Sequence, residues 1–122
     1  GEDEDLKKVF EKALEGKRVT VRTEKFKDAS VPAVVNVSEF VRRMSEMHSF
    51  YGMGESPVDV TLVVNASNPA VLALKDAEEG EQTKAAEQIY YLALMNYRPL
   101  TPEELTAFVS TSTLLLEKYL KK

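Results

Sequence analysis

Seven consecutive apolar residues, Ile89-Tyr90-Tyr91-Leu92-Ala93-Leu94-Met95, constrain this chain more than anything else in it. Such a run covers every side of a helix, and a helix that is apolar all round must be covered on all sides. The run is far short of the roughly 20 residues a bilayer requires, and Lys84, Glu87 and Arg98 close it in. The cover must therefore be protein. A chain of 122 residues has little apolar surface to spare for it, so part of the cover is expected from a second chain.

Length predicts one domain over residues 1–122, able to bury roughly two thirds of its unfolded surface without a disulfide or a metal. The composition, 43% hydrophobic and 30% charged, is that of an ordinary globular protein. With no cysteine there is no disulfide framework, thiolate metal site or cysteine nucleophile, which fits a reducing, cytoplasmic setting. A net charge of −4 argues against nucleic acid as a partner, because phosphate binding relies on clustered Lys and Arg. No stretch reads as a signal peptide or a membrane span. The start at Gly1, without a methionine, points to a piece excised from a longer protein.

In chain order, Leu6, Val9, Phe10, Ala13 and Leu14 form one stripe of an amphipathic helix over 2–14, with Asp3 or Asp5 as its cap and Gly16 as its stop. Val19 and Val21 alternate with Arg18, Thr20 and Arg22 as a half-buried strand. After a polar turn over 25–30, Pro32 restricts Ala33-Val34-Val35 to a short strand, expected to pair with the first as a hairpin. Asn36, with Glu39 three residues on, predicts a capping box for a second helix carrying Val37, Phe40, Val41, Met44, Met47 and Tyr51 on one face. Gly52 and Gly54 end it. Val58, Val60, Leu62 and Val64 alternate with Asp59, Thr61 and Val63 as a third strand, and Asn68-Pro69 opens a short helix through Leu74. Residues 75–81 read as a mobile acidic connector.

A terminal helical hairpin begins near Glu81 or Gln82 and turns at 96–100. Thr101-Pro102-Glu103-Glu104 restarts it with an N-cap, a proline at the first helical position and a capping-box glutamate. At 100° per residue, Leu105, Phe108, Val109, Ser112, Leu115, Leu116, Tyr119 and Leu120 share one broad face. Ala107, Ser110, Thr111 and Leu114 lie opposite, a small-residue face that allows close helix approach. The predicted class is α+β: a small three-stranded sheet, helices packed at one side, and a C-terminal hairpin that dimerises as a four-helix bundle.

Chemistry-bearing motifs are sparse. His48 is the single histidine, and no sequence neighbour supplies the orienting partner and nucleophile a general base requires. There is no glycine-rich phosphate loop, zinc spacing or calcium loop. Glu78, Glu79 and Glu81 read as a solvated run, and the hydroxyls of Thr106, Ser110, Thr111, Ser112 and Thr113 as helix surface. An enzyme is not expected, and no metal or cofactor is called for. Two apolar features remain. Phe40, Met44 and Met47 are expected to pack against the sheet. For Phe50 and Met53, past the regular helix, packing and a contact surface suited to methionine's adaptable thioether stay open. The all-round apolarity of 89–95 favours self-association of the hairpin.

The order of these motifs resembles the C-terminal domain of the heat-shock protein 90 chaperone family, HtpG in bacteria. The likeness is carried by Val19-Thr20-Val21-Arg22 through Val31-Pro32-Ala33-Val34-Val35, by Val41-Arg42-Arg43-Met44 with Met47, and by Leu62-Val63-Val64-Asn65 with the short helix at 70–74. It is completed by the hairpin from Ile89–Met95 to Thr101-Pro102-Glu103-Glu104, and covers essentially the whole chain. Two details depart from the family pattern: Pro69 falls later than the family's Asn-Pro step, and Arg98-Pro99-Leu100 replaces a glycine-containing turn. The chain ends in Tyr119-Leu120-Lys121-Lys122 without the acidic tail of cytosolic eukaryotic members, which favours a bacterial one.

The resemblance implies a constitutive homodimerisation domain that also contacts unfolded or partly folded client proteins. The ATPase, with its ATP and Mg, would lie in an N-terminal domain outside this chain. Tyr91, Leu94, Met95, Phe108, Leu114 and Leu115 are the expected dimer contacts; Met44, Met47, Phe50, Tyr51 and Met53 are the expected client contacts. The rival expectation is a small monomeric adaptor that binds a partner helix.

Overall fold

A computed structural model describes residues 2–52 and 59–121. The elements run α1 (Glu4–Ala13), β1 (Val19–Glu24), β2 (Ala33–Asn36), α2 (Glu39–Phe50), β3 (Val60–Asn65), α3 (Pro69–Ala73), α4 (Glu79–Leu94) and α5 (Pro102–Leu120), with a 3-10 turn at Leu74–Asp76. Among the described residues this is an α+β fold with a small mixed sheet and five helices. Val58 and Gly54 lie outside the described residues.

The sheet order is β1-β3-β2. β3 runs parallel to β1, with Val21 opposite Leu62, and antiparallel to β2, with Val35 opposite Leu62. The hairpin expected between β1 and β2 is therefore not formed, because β3 lies between them. The reason is chemical. β3 is apolar on both faces, with Leu62, Val63 and Val64 each at most 1% exposed, and a strand buried on both faces belongs at the centre of a sheet. Two buried asparagines then hold the connection that reaches from one edge to the other. Asn65 Oδ1 accepts from the backbone N–H of Phe26 (3.0 Å) and Ser67 (2.9 Å), and its Nδ2 donates to the carbonyls of Asp28 (3.1 Å) and Val31 (2.7 Å). Asn68 Nδ2 donates to the Ala29 carbonyl at 2.9 Å.

Helix starts follow local chemistry. Asp3 caps α1, its carboxylate accepting from Leu6 N–H at 3.1 Å. Lys75 donates to the same carboxylate at 2.6 Å, which lowers the Asp3 pKa and raises that of Lys75. Gly16, at φ +84, makes the left-handed turn that ends α1. Asn68 caps α3, and Thr101 with Glu104 closes the capping box of α5. Asn36 does not cap α2. It is the last residue of β2, paired with Thr61, and Ser38 takes the cap instead, its hydroxyl accepting from Val41 N–H at 3.1 Å. Residues 75–81 form no free connector: the 3-10 turn and the first residues of α4 occupy them, and Gln82 donates to the Leu74 carbonyl at 2.8 Å.

The core lies between one sheet face and the helices α1, α3 and α4. Leu6, Phe10, Val21, Leu62, Val64, Val71, Ala86 and Leu94 meet there. At about 25 cal/mol per Å² of apolar surface, this contact is the main force holding the protomer together.

Candidate interaction surfaces

Five of the seven residues of the apolar run, Ile89, Tyr90, Tyr91, Ala93 and Leu94, are buried within the protomer. Burial pushes the Tyr90 phenol pKa up, and Lys17 stands over the Tyr91 ring at 5.9 Å. Leu92 and Met95 remain exposed. The domain's own sheet and α1 thus cover α4 on most sides and leave one side open.

That open side continues onto α5, a 19-residue helix with no buried residue. Phe108, Thr111 and Ser112 are half-buried. Gln88 joins the two helices there, its Nε2 donating to the Ser112 hydroxyl at 2.7 Å and to the Phe108 carbonyl at 3.2 Å. The other amide atom, Gln88 Oε1, is buried without a hydrogen-bond partner. Further along, Lys118 pairs with Glu81 at 3.4 Å. Beyond this seam Leu105, Val109, Leu116 and Leu120 are 49, 53, 59 and 76% exposed. That is a large exposed apolar surface for one helix.

At the turn, Arg98 grips the Glu104 carboxylate with both terminal nitrogens, at 2.8 and 2.9 Å. The arginine and the Thr101 backbone N–H together hold the Glu104 pKa down to about 2. This clamp binds the loop to the first turn of α5. Beside it, Met95, Asn96, Tyr97, Arg98, Pro99, Leu100 and Leu105 line a concavity of about 520 Å³.

A second apolar surface lies on α2. Its half-buried side is Val41, Ser45 and His48, while Phe40, Met44, Met47, Phe50 and Tyr51 are 52 to 83% exposed. The packing of Phe40, Met44 and Met47 against the sheet expected from periodicity is not observed. The helix presents its apolar stripe outward, because α1 and α4 already occupy the core face of the sheet. Phe50 and Tyr51 meet edge to face at 5.4 Å. Met53 lies outside the described residues.

The predicted dimer contacts therefore divide. Met95, Leu114 and Leu115 are exposed and Phe108 half-buried, whereas Tyr91 and Leu94, 4 and 1% exposed, spend their surface inside the protomer. Leu105, Val109, Leu116 and Leu120 are also exposed and were not among the expected contacts. Their spacing of four and seven residues along one side of α5 was the available signal.

Among the described residues no group of three or more His, Cys, Asp or Glu converges on a metal-holding position. Glu79 pairs with Lys12 and Glu81 with Lys118. The Thr106 and Thr113 hydroxyls donate to carbonyls one turn back, both at 3.0 Å. No helix among the described residues is long and apolar enough to cross a membrane.

The structure is a small α+β domain whose C-terminal helical pair carries an exposed apolar face. Compared with known proteins, the chain matches no protein-family model and no curated protein sequence.

Proposed function

We propose that this chain is the homodimerisation and client-contact domain of a cytoplasmic molecular chaperone of the heat-shock protein 90 type. In that role α4 and α5 of two copies form a four-helix bundle, and the outward stripe of α2 meets unfolded protein. Any ATP-driven step would belong to other domains of the parent protein. The observation that carries the reading is α5, with 19 residues, none buried, and a continuous exposed stripe from Leu105 to Leu120.

Magnitudes favour pairing over solvation. A stable interface covers roughly 800 Å² per partner, about a tenth of the 8182 Å² that this chain exposes. Leu92, Met95, Leu105, Val109, Leu114, Leu115, Leu116, Tyr119 and Leu120, all large and exposed on one hairpin, can furnish it. The orderly motif series shared with that chaperone family supports the same assignment.

Sedimentation equilibrium at tens of micromolar tests the dimer. The expected mass is twice the 13.7 kDa of the chain, and a monomer would favour the adaptor that binds a foreign helix. Photo-crosslinking of an unfolded model protein to the domain tests the other half. Labelling is expected on Phe40, Met44, Met47 and Phe50, and labelling confined to other surfaces refutes the α2 assignment.

A further inference from the structure

Among the described residues α2 is the one helix that gives no side chain to the core. Its apolar stripe, Phe40, Met44, Met47 and Tyr51, advances in steps of four, three and four residues. The two thioethers therefore sit one turn apart at the middle, with an aromatic ring toward either end. Both methionines are 52% exposed. Cysteine is absent, so every sulfur in the chain is a thioether, and two of them stand in solvent at the centre of one apolar stripe.

Oxygen transfer from a peroxide converts such a thioether to a sulfoxide. A sulfur lone pair forms the new S–O bond as the peroxide O–O bond breaks; sulfur loses two electrons, and hydrogen peroxide leaves as water. The reverse step consumes a dithiol, which becomes a disulfide while the sulfoxide oxygen leaves as water. One reductase serves each sulfoxide epimer.

The site decides what this chemistry does. A flexible apolar side chain becomes a polar one carrying an acceptor oxygen. On α2 that oxygen is solvated and touches no core contact, so the fold tolerates it. An apolar partner does not, because each sulfoxide would be stripped of water with no donor to replace it. Contact energy concentrates at the centre of an interface, where water is excluded, and the centre of this stripe is the methionine pair. Met95 differs: it lies at the end of α4 beside the hairpin turn, away from the α2 stripe.

We propose that Met44 and Met47 form a reversible oxidation switch, in which peroxide turns the α2 stripe from a protein-binding surface into a polar one and reduction of the two sulfoxides restores it. This rests on α2 being a contact surface for unfolded protein and adds the chemical signal that closes it.

The full chain is treated with hydrogen peroxide, the excess is destroyed with catalase, and capture of carboxymethylated, permanently unfolded lactalbumin is measured before and after. Peptide mass spectrometry should find one added oxygen on Met44 and one on Met47, with far-UV circular dichroism unchanged. Capture should fall about tenfold or more, and the pair of sulfoxide reductases should restore it. The ratio of capture after peroxide to capture before assigns the effect. Met53→Leu with Met95→Leu should show the same fall as the wild type, whereas Met44→Leu with Met47→Leu should change by less than about twofold. Capture that survives full oxidation of Met44 and Met47 overturns the switch, as does an equal fall in the Met44→Leu, Met47→Leu variant. Oxidation of Met95 while Met44 and Met47 stay reduced, or loss of the helical signal on oxidation, overturns it too. An untreated chain that captures nothing, or captures only through other surfaces, removes the α2 reading itself and the switch with it.

Discussion

Arg98 and Glu104 form a two-pronged ion pair, at 2.8 and 2.9 Å, across the turn that joins the last two helices. The same carboxylate accepts from the Thr101 backbone N–H at 2.8 Å, so one side chain binds the loop and caps the helix. Its pKa falls from 4.5 to about 2. A depressed carboxylate pKa contributes stability that is present in full above the unfolded value and is lost as pH falls through the folded one. The contribution should therefore be complete above pH 4.5 and disappear between there and about pH 2. After solvent screening it amounts to about 1 to 2 kcal/mol. Thermal melts of the wild type and Glu104→Gln should differ at pH 7 and converge toward pH 2.5.

Asn65 is predicted to be the most costly polar position. It is fully buried and makes four hydrogen bonds, three of which hold the connection from β1 to β2. Asn65→Ala leaves buried backbone groups unpaired at about 1 to 3 kcal/mol each, so a loss of at least 3 kcal/mol in urea unfolding is expected. Asn68→Ala, which removes a helix cap and one loop contact, should cost about 1 to 2 kcal/mol.

Phe10 and Leu116 should separate folding from association. Phe10 is fully buried in the core, and Phe10→Ala should destabilise the protomer by about 3 to 5 kcal/mol. Leu116 is exposed on α5. Leu116→Glu should leave far-UV circular dichroism unchanged yet weaken self-association about tenfold or more, read by sedimentation.

Met44 and Met47 are each 52% exposed. Met44→Asp with Met47→Asp should change unfolding stability by less than about 0.5 kcal/mol each, while capture of an unfolded model protein falls sharply. A large loss of stability would mean that the stripe packs within the protomer after all.

How much of this was legible along the chain varies by element. The caps at Asn68 and Thr101 were readable because each is completed by a backbone group within three residues, and the structure chooses Asp3 over Asp5 for α1. The cap of α2 was not: Asn36 and Ser38 are both competent, and pairing of Asn36 with Thr61 in the sheet decides between them. Strand adjacency was hidden for a related reason. Proximity in sequence favoured a β1–β2 hairpin, but the two-faced apolarity of Val60–Asn65 and the reach of Asn65 into the loop make β3 the centre.

The candidate surfaces divide in the same manner. Periodicity established that α2 and α5 each carry an apolar stripe, since side-chain direction on a helix follows from residue spacing alone. Which stripe meets the core depends on what else competes for the sheet. α1 and α4 fill that face, so Phe40, Met44 and Met47 turn outward, and Tyr91 and Leu94 turn inward. Element identity, capping and amphipathicity are local properties, carried by a few neighbouring residues. Strand order, the division of α4 into a covered and an open side, and the exposure of α5 follow only from the packed arrangement, because burial is a competition among all apolar faces for one limited core.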